Sequence, residues 1–241
     1  MASVKGHYGA VLADVYAWMA GGFETALERN RAFFDALSLR PTSSGIAVDL
    51  GAGCGFQSIP LAELGFHVTA IDLDRRLLDE LESNAGSLEI RIVEDDLTRF
   101  RDHVDANAEL VVCMTDTLLH LESKERVQRL LSDVNSALGP DGKFVITFRD
   151  LTRELADLDR FIPVRSDAET ILMCFLEYEP ATVKVHDLVY KRTPDGWNLS
   201  KSYYRKLRLS KEWVHEQLEA AGFARIDARE EAGLVTMLAL P

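Results

Sequence analysis

Val48-Asp49-Leu50-Gly51-Ala52-Gly53-Cys54-Gly55 is the stretch whose reading decides the fold. It completes an apolar run, Ile46 to Leu50, closed by glycines, which is the pattern of a strand covered on both faces. Gln57 to Leu64 then reads as a short helix, so the glycines stand where a buried strand gives way to a helix. Glycines at 51, 53 and 55 allow a sharp turn and let a bound molecule approach main-chain atoms that a Cβ would shield. A dinucleotide fingerprint requires G-x-G-x-x-G, and Phe56 occupies the last of those positions. A Walker-type phosphate loop requires Gly-Lys-Ser/Thr, which is absent.

Outward from this bend the same unit repeats. His67 to Ile71 reads as a second strand, followed by a helix over Arg75 to Asn84 with Leu77, Leu78 and Leu81 on one face. Leu88 to Val93 is a third strand, Leu110 to Met114 a fourth, and Lys143 to Phe148 a fifth, entered through the turn Gly139-Pro140-Asp141-Gly142. Lys124 to Leu138 is helical between the last two. Such alternation implies an α/β, doubly wound, mostly parallel sheet covered on both faces. After Arg149 the rhythm changes to three long strands, Thr170 to Tyr178, Thr182 to Arg192 and Trp197 to Leu209, expected as an antiparallel insertion after the fifth strand. A helix over Lys211 to Ala221 and two strands, Phe223 to Arg229 and Leu234 to Leu240, then complete a seven-stranded sheet. The expected organisation is an N-terminal helical cap over 1–44, a ligand-binding core over 45–150, the antiparallel insertion over 151–210 and a C-terminal part of the core sheet over 211–241.

Composition bounds the class of function. The 241 residues, 47% hydrophobic and 27% charged, suffice for one large α/β domain with a real core. A formal net charge of -12 repels polyanions, so nucleic acid is not expected as a partner. Cys54, Cys113 and Cys174 are scattered and odd in number, which suggests neither a disulfide framework nor a metal knuckle and fits a reducing compartment. No signal-peptide pattern opens the chain, and no run of about 18 apolar residues is present to span a membrane, so a cytoplasmic location without membrane attachment is expected.

The glycine bend resembles motif one of the class I S-adenosylmethionine-dependent methyltransferases, of the small-molecule type that includes glycine N-methyltransferase. Three further stretches extend the resemblance over Val48 to Phe148. Ile71-Asp72-Leu73-Asp74 puts a carboxylate about 20 residues beyond the glycines, where a doubly wound fold holds a ribose. Val93-Glu94-Asp95-Asp96-Leu97 supplies the acid that in the family receives the adenine amino group, with Asp96 fitting best and Asp95 close behind. Val112 to Leu121 resembles motif four, in which an Asn or Asp and a nearby His lie beside the sulfonium.

The resemblance implies S-adenosylmethionine as cofactor and S-adenosylhomocysteine as product. It assigns Asp49, Gly51, Ala52, Gly53, Gly55, Asp72, Leu73, Asp95, Asp96, Leu97, Met114, Thr115 and Asp116 to the cofactor, with Tyr16 from the N-terminal cap. Asp49, inside an apolar run, needs a partner, such as the amides of the glycine bend or the cofactor amino group. His120 is the candidate catalytic base. Candidate substrate contacts are Tyr8 and Trp18 in the cap, Arg149 after the fifth strand, and Tyr178, Tyr203 and Tyr204 in the insertion. Asp74, ahead of a helix, reads as a cap. His67 and His103 receive no role, and no metal site is expected. The basic run Lys201, Arg205, Lys206, Arg208, Lys211 reads more simply as a solvated strand face than as an anion site.

The expected activity is methyl transfer to N or O of a small molecule by direct displacement. Two other readings remain at this point: a cofactor-binding protein without transfer, and a nicotinamide-dependent oxidoreductase on a related sheet.

Overall fold

The computed structural model describes residues 4–105 and 107–241, the side chains of 4, 5 and 10 excepted; the first three residues of the expected cap lie outside the described residues. The chain opens with a helical turn α1 (Val4–His7), a π-helical turn over Tyr8–Leu12, a 3-10 turn over Ala13–Val15 and α2 (Tyr16–Met19), before the longer α3 (Phe23–Ala36). The apolar spacing through Phe23 does not make one helix, because Gly21 and Gly22 both take positive φ and break it.

A seven-stranded sheet follows the order β10-β11-β5-β4-β1-β2-β3. Its strands are β1 (Ile46–Leu50), β2 (His67–Asp72), β3 (Ile90–Glu94), β4 (Ala108–Cys113), β5 (Leu138–Arg149), β10 (Arg225–Glu231) and β11 (Leu234–Leu240). β1 pairs in parallel with both β2 and β4, and only the pairings that involve β11 are antiparallel. α4 (Ser58–Glu63), α5 (Arg75–Asn84), α6 (Lys124–Ala137) and α7 (Lys211–Ala220) connect the strands. The doubly wound, mostly parallel sheet expected from the sequence is the fold observed. Its order reverses between β1 and β4, the crevice where such sheets bind ligands beyond the carboxyl ends of their strands.

The two central strands are apolar because water reaches neither face: Ala47, Val48 and Leu50 of β1 and Leu110 to Cys113 of β4 are all buried. The fifth strand begins earlier than its sequence suggests. Leu138 already pairs with Ala108, and a register shift carries the ladder past Gly139 to Gly142, so that stretch is an irregular strand entry.

The insertion carries four strands, in the order β6-β7-β8-β9, all antiparallel: β6 (Phe161–Ser166), β7 (Thr170–Tyr178), β8 (Thr182–Thr193) and β9 (Gly196–Leu207). Three were expected. β6 escapes a pattern reading because it contains Pro163, has a register shift beside it, and forms an edge where proline is tolerated. The inner face of this smaller sheet packs on the N-terminal turns through Val11, Leu12, Val15, Leu172, Val183 and Val185.

Candidate functional site

A cleft of about 600 Å³ opens at the carboxyl ends of β1, β2 and β3, within the size range of small-molecule sites. The glycine bend forms its floor. The amides of Gly51 and Ala52 both donate to the Ile71 carbonyl, at 2.9 and 3.0 Å, which ties the bend to the tip of β2. Gly51 has φ +81°, and an added Cβ would collide with the Thr117 side chain; both residues line the cleft.

Two acidic strand tips meet this floor. Asp72 accepts from the Gly53 amide and the Asp74 amide, each at 2.8 Å, and its carbonyl takes the Asp95 amide at 3.1 Å. Burial raises the Asp72 carboxyl above its ordinary range even though those amides favour the charged form. Asp96 caps the following 3-10 turn, accepting from the Thr98 amide at 2.9 Å and its hydroxyl at 2.8 Å. Asp95 turns to His103 at 2.8 Å and Arg99 at 3.3 Å, and the His103 hydrogen bond holds its carboxyl below the usual range. Asp74 caps α5 through the amides of Arg76 and Leu77, as its position implies.

After β4 the backbone takes two consecutive left-handed non-glycine conformations, Thr115 at φ +53° and Asp116 at +69°. Each costs on the order of 1–3 kcal/mol and persists only where the surroundings enforce it. The Thr115 amide donates to the Thr147 hydroxyl at 2.7 Å, and the Asp116 amide to the Thr147 carbonyl at 3.2 Å. This turn delivers His120 to the far end of the cleft. The His120 ring has Tyr8 at 6.0 Å and Tyr204 at 5.3 Å, both edge-on, and its Nε2 is buried without a hydrogen-bond partner among the described residues. Burial first, and then the Lys206 ammonium, push its pKa down to about 3. The ring is therefore neutral at pH 7. Burial likewise raises the phenols of Tyr8, Tyr16 and Tyr204, which stay protonated.

Of the residues singled out by sequence, Tyr8, Tyr16, Gly51, Gly53, Asp72, Leu73, Asp95, Asp96, Leu97, Thr115 and His120 line this one cleft. Asp74 and Arg205 line it too, while the remaining candidate cofactor and substrate residues lie off its wall. Asp49 sits beneath the bend, where it accepts from the Ser58 hydroxyl at 2.6 Å; burial raises its carboxyl to about 7. Ala52 and Met114 are core residues, and Gly55 backs onto Leu81. Asp116 is taken up by Lys206 and Arg149 at 2.7 and 2.9 Å. The Trp18 indole donates to Asp167, the Tyr178 hydroxyl accepts from the Leu155 amide, and Tyr203 lies on the outer face of the small sheet beside His186. Tyr204 stands behind His120, packed against His7 at 4.5 Å.

Lys201 of the basic run is exposed, but its centre is taken up by partners. Arg205 forks onto Glu179 at 2.7 and 3.0 Å, Lys206 reaches buried Asp116, and Arg208 holds the carbonyls of Leu151, Thr152 and Glu179. Thr117 and Leu121, inside motif four but given no role there, also line the cleft, as do Glu122, Arg126, Thr182 and Leu207. Glu122 and Arg126 follow motif four directly, and that proximity was the available signal. Thr182 and Leu207 arrive from the insertion, where only the folded chain reveals them.

Residues 47–142 match a family described as a methyltransferase domain. Over 105 residues the chain is 30% identical to a glycine/sarcosine N-methyltransferase of Aphanothece halophytica, covering 43% of this chain and 40% of that protein. Over 106 residues it is 34% identical to the cypemycin N-terminal methyltransferase of a Streptomyces species, covering 44% of this chain and 42% of that one. The aligned part thus spans about four-tenths of the length of these curated relatives. Among solved structures, the CcbJ methyltransferase from Streptomyces caelestis superposes with a TM-score of 0.79 at 19% identity, covering 97% of each chain. An S-adenosylmethionine-bound amino pentose methyltransferase from Micromonospora echinaspora gives 0.68 at 14% identity, covering 90% of each. The glycine bend and the acidic strand tips therefore lie within the stretch that matches a methyltransferase domain, and the chain shares the doubly wound α/β fold of solved S-adenosylmethionine-dependent methyltransferases.

Proposed function

We propose that the chain binds S-adenosylmethionine in this cleft and transfers the methyl group to N or O of a small molecule by direct displacement, releasing S-adenosylhomocysteine. The observation that carries the reading is the convergence of the glycine bend, Asp72 and Asp96 on one wall of a cleft whose other end holds a neutral histidine, its Nε2 without a hydrogen-bond partner among the described residues. The bound cofactor supplies an electrophilic methyl carbon on a sulfonium; the chain does the rest.

Asp72 keeps lone pairs beyond those given to Gly53 and Asp74, enough to accept from two ribose hydroxyls. Asp96 spends Oδ1 on Thr98 and offers Oδ2 to the adenine amino group. Tyr8 and Tyr16 line the cleft with electron-rich faces suited to a cation. His120 Nε2 accepts a hydrogen bond that orients the lone pair of the attacking amine or hydroxyl. Holding the reactants in line contributes on the order of 7–11 kcal/mol in favourable cases.

An amine acceptor is supported by relatives named for N-methylation of glycine and sarcosine, and by neighbours named as sugar and glycopeptide N-methyltransferases. The N-terminal cap over 1–44 and the insertion over 151–210 act as the substrate lid on a core made of 45–150 and 211–241. No helix among the described residues is long and apolar enough to cross a membrane, and the three cysteines are free thiols. These features and the acidic charge support a cytoplasmic protein acting on metabolites rather than on nucleic acid or membranes.

Calorimetry with S-adenosylhomocysteine tests the cofactor half: one site per chain is expected, with Asp72→Ala weakening it at least about tenfold, the loss of two hydrogen bonds to a charged group. Absence of binding at millimolar ligand removes the proposal. Labelled methyl groups appearing in a metabolite extract, and not appearing with His120→Gln, test the transfer half.

A further inference from the structure

Asp116 is a buried carboxylate, 2% exposed, on the turn that ends in His120. Three donors converge on it: the Arg149 amide at 2.7 Å, the Arg149 guanidinium at 2.9 Å and the Lys206 ammonium at 2.7 Å. Arg149 closes β5 of the core sheet, whereas Lys206 belongs to β9 of the small sheet, so the carboxylate ties the two sheets together at the cleft. Arg149 leaves 61% of its side chain in water, while Lys206 is only 13% exposed. The inner cation is the one that feels a low dielectric, where a charge acts over a longer reach. Its ammonium lies 5.7 Å from the centre of the Tyr204 ring, and that ring abuts His120.

We propose that Lys206, anchored on Asp116, is a positioning residue for the methyl-transfer site: it docks the small sheet on the catalytic turn and sets a positive charge behind the Tyr204 ring that abuts His120. This inference rests on the proposed role of His120. The groups facing His120 are Tyr8 and His7 from the N-terminal turns, Tyr204 and Lys206 from β9, and Asp116 from its own turn. Burial opposes a proton on the ring most strongly, Lys206 and His7 add to it and Asp116 favours it, so the ammonium offsets the carboxylate that the turn requires for its geometry. Lys206 is therefore not an anchor for an anionic substrate, which its place in a basic run otherwise suggests.

The test is an NMR titration of the His120 ring in the full chain saturated with S-adenosylhomocysteine, the signal assigned by its loss in His120→Gln. The unsubstituted protein should show no protonation step down to about pH 4. Lys206→Gln keeps a donor for Asp116 but removes the charge; the His120 step should then rise by about one pH unit or more, a tenfold change in proton affinity. Lys206→Arg should restore the original curve. If Lys206→Gln does not fold, Arg149→Gln removes the outer cation from the same carboxylate and should produce a smaller rise. A His120 titration that is the same with and without the cation overturns the inference, and it does so without touching the methyltransferase reading, since S-adenosylhomocysteine binding is measured on the same samples.

Discussion

At Gly55 the backbone φ is +93°, and an added Cβ would strike Leu81, a core residue of α5. Gly55→Ala combines backbone strain with overpacking, and a loss of about 1–3 kcal/mol in stability is expected, read as a lowered denaturation midpoint. Because Gly55 does not line the cleft, S-adenosylhomocysteine affinity at low temperature should change little; a large loss of affinity with unchanged stability would contradict this division of labour within the bend. His120 gives a prediction of different sign. Its folded pKa of about 3 lies below the unfolded value, so between about pH 6.5 and pH 3 the unfolded chain takes up a proton that the folded chain refuses. Stability is therefore lost on acidification, at up to about 1.4 kcal/mol per pH unit. His120→Gln should flatten the dependence of melting temperature on pH across that window.

At the scale of elements, the entry to β1 depends on a carboxylate from β4. Glu109 accepts from the amides of Thr42, Ser43 and Gly45 and from the Thr42 hydroxyl. Burial opposes its charge, but those donors win and hold the carboxyl at about 2. A depressed folded pKa means that the stabilisation is complete above the unfolded value near 4.5 and is lost as pH falls toward 2. Glu109→Gln should cost about 2–3 kcal/mol at pH 7. The gap between the two melting curves should close below about pH 4.5, and a gap independent of pH would show that the carboxylate is not the cause.

Glu109 also marks where sequence reading stops. β1, β2 and β4 were legible because strands buried on both faces are mostly apolar, polar residues such as Asp49, Thr69 and Glu109 being isolated within them, and Asp72 and Asp96 because they fall at strand ends a fixed distance from the glycines. Nothing local marks Glu109 as the clasp of a loop 64 to 67 residues away, or Lys206 as the partner of an aspartate 90 positions earlier. Tyr203 and Tyr204 were equal candidates in sequence. Alternation on β9 sends one to the outer face and the other to His120, and register alone decides which.

For the whole molecule, the cleft is closed on one side by the N-terminal turns and the small sheet, which share a separate apolar cluster around Leu12, Leu172, Val183 and Tyr204. The join between them contains one buried polar clasp: His7 Nε2 meets Asp187 at 2.8 Å, and the Cys174 thiol donates to the other Asp187 oxygen at 2.7 Å. Tyr8 and Tyr16 on the same turns line the cleft, and the proposed lid role predicts that a ligand the size of the cofactor enters when these turns lift. Short turns of π, 3-10 and α geometry are suited to that, since each carries few internal hydrogen bonds and relies on packing. Hydrogen exchange in residues 6–19 should accordingly slow when S-adenosylhomocysteine is added. His7→Ala leaves Asp187 buried with only a thiol, a loss of about 3 kcal/mol localised to this join. It should speed exchange in the same segment and raise the rate of ligand release more than it slows ligand entry, because the clasp is made only in the closed state. Exchange in residues 6–19 that responds neither to the ligand nor to His7→Ala would mean that these turns are a fixed wall of the cleft, with entry between Arg126 and Arg205 instead.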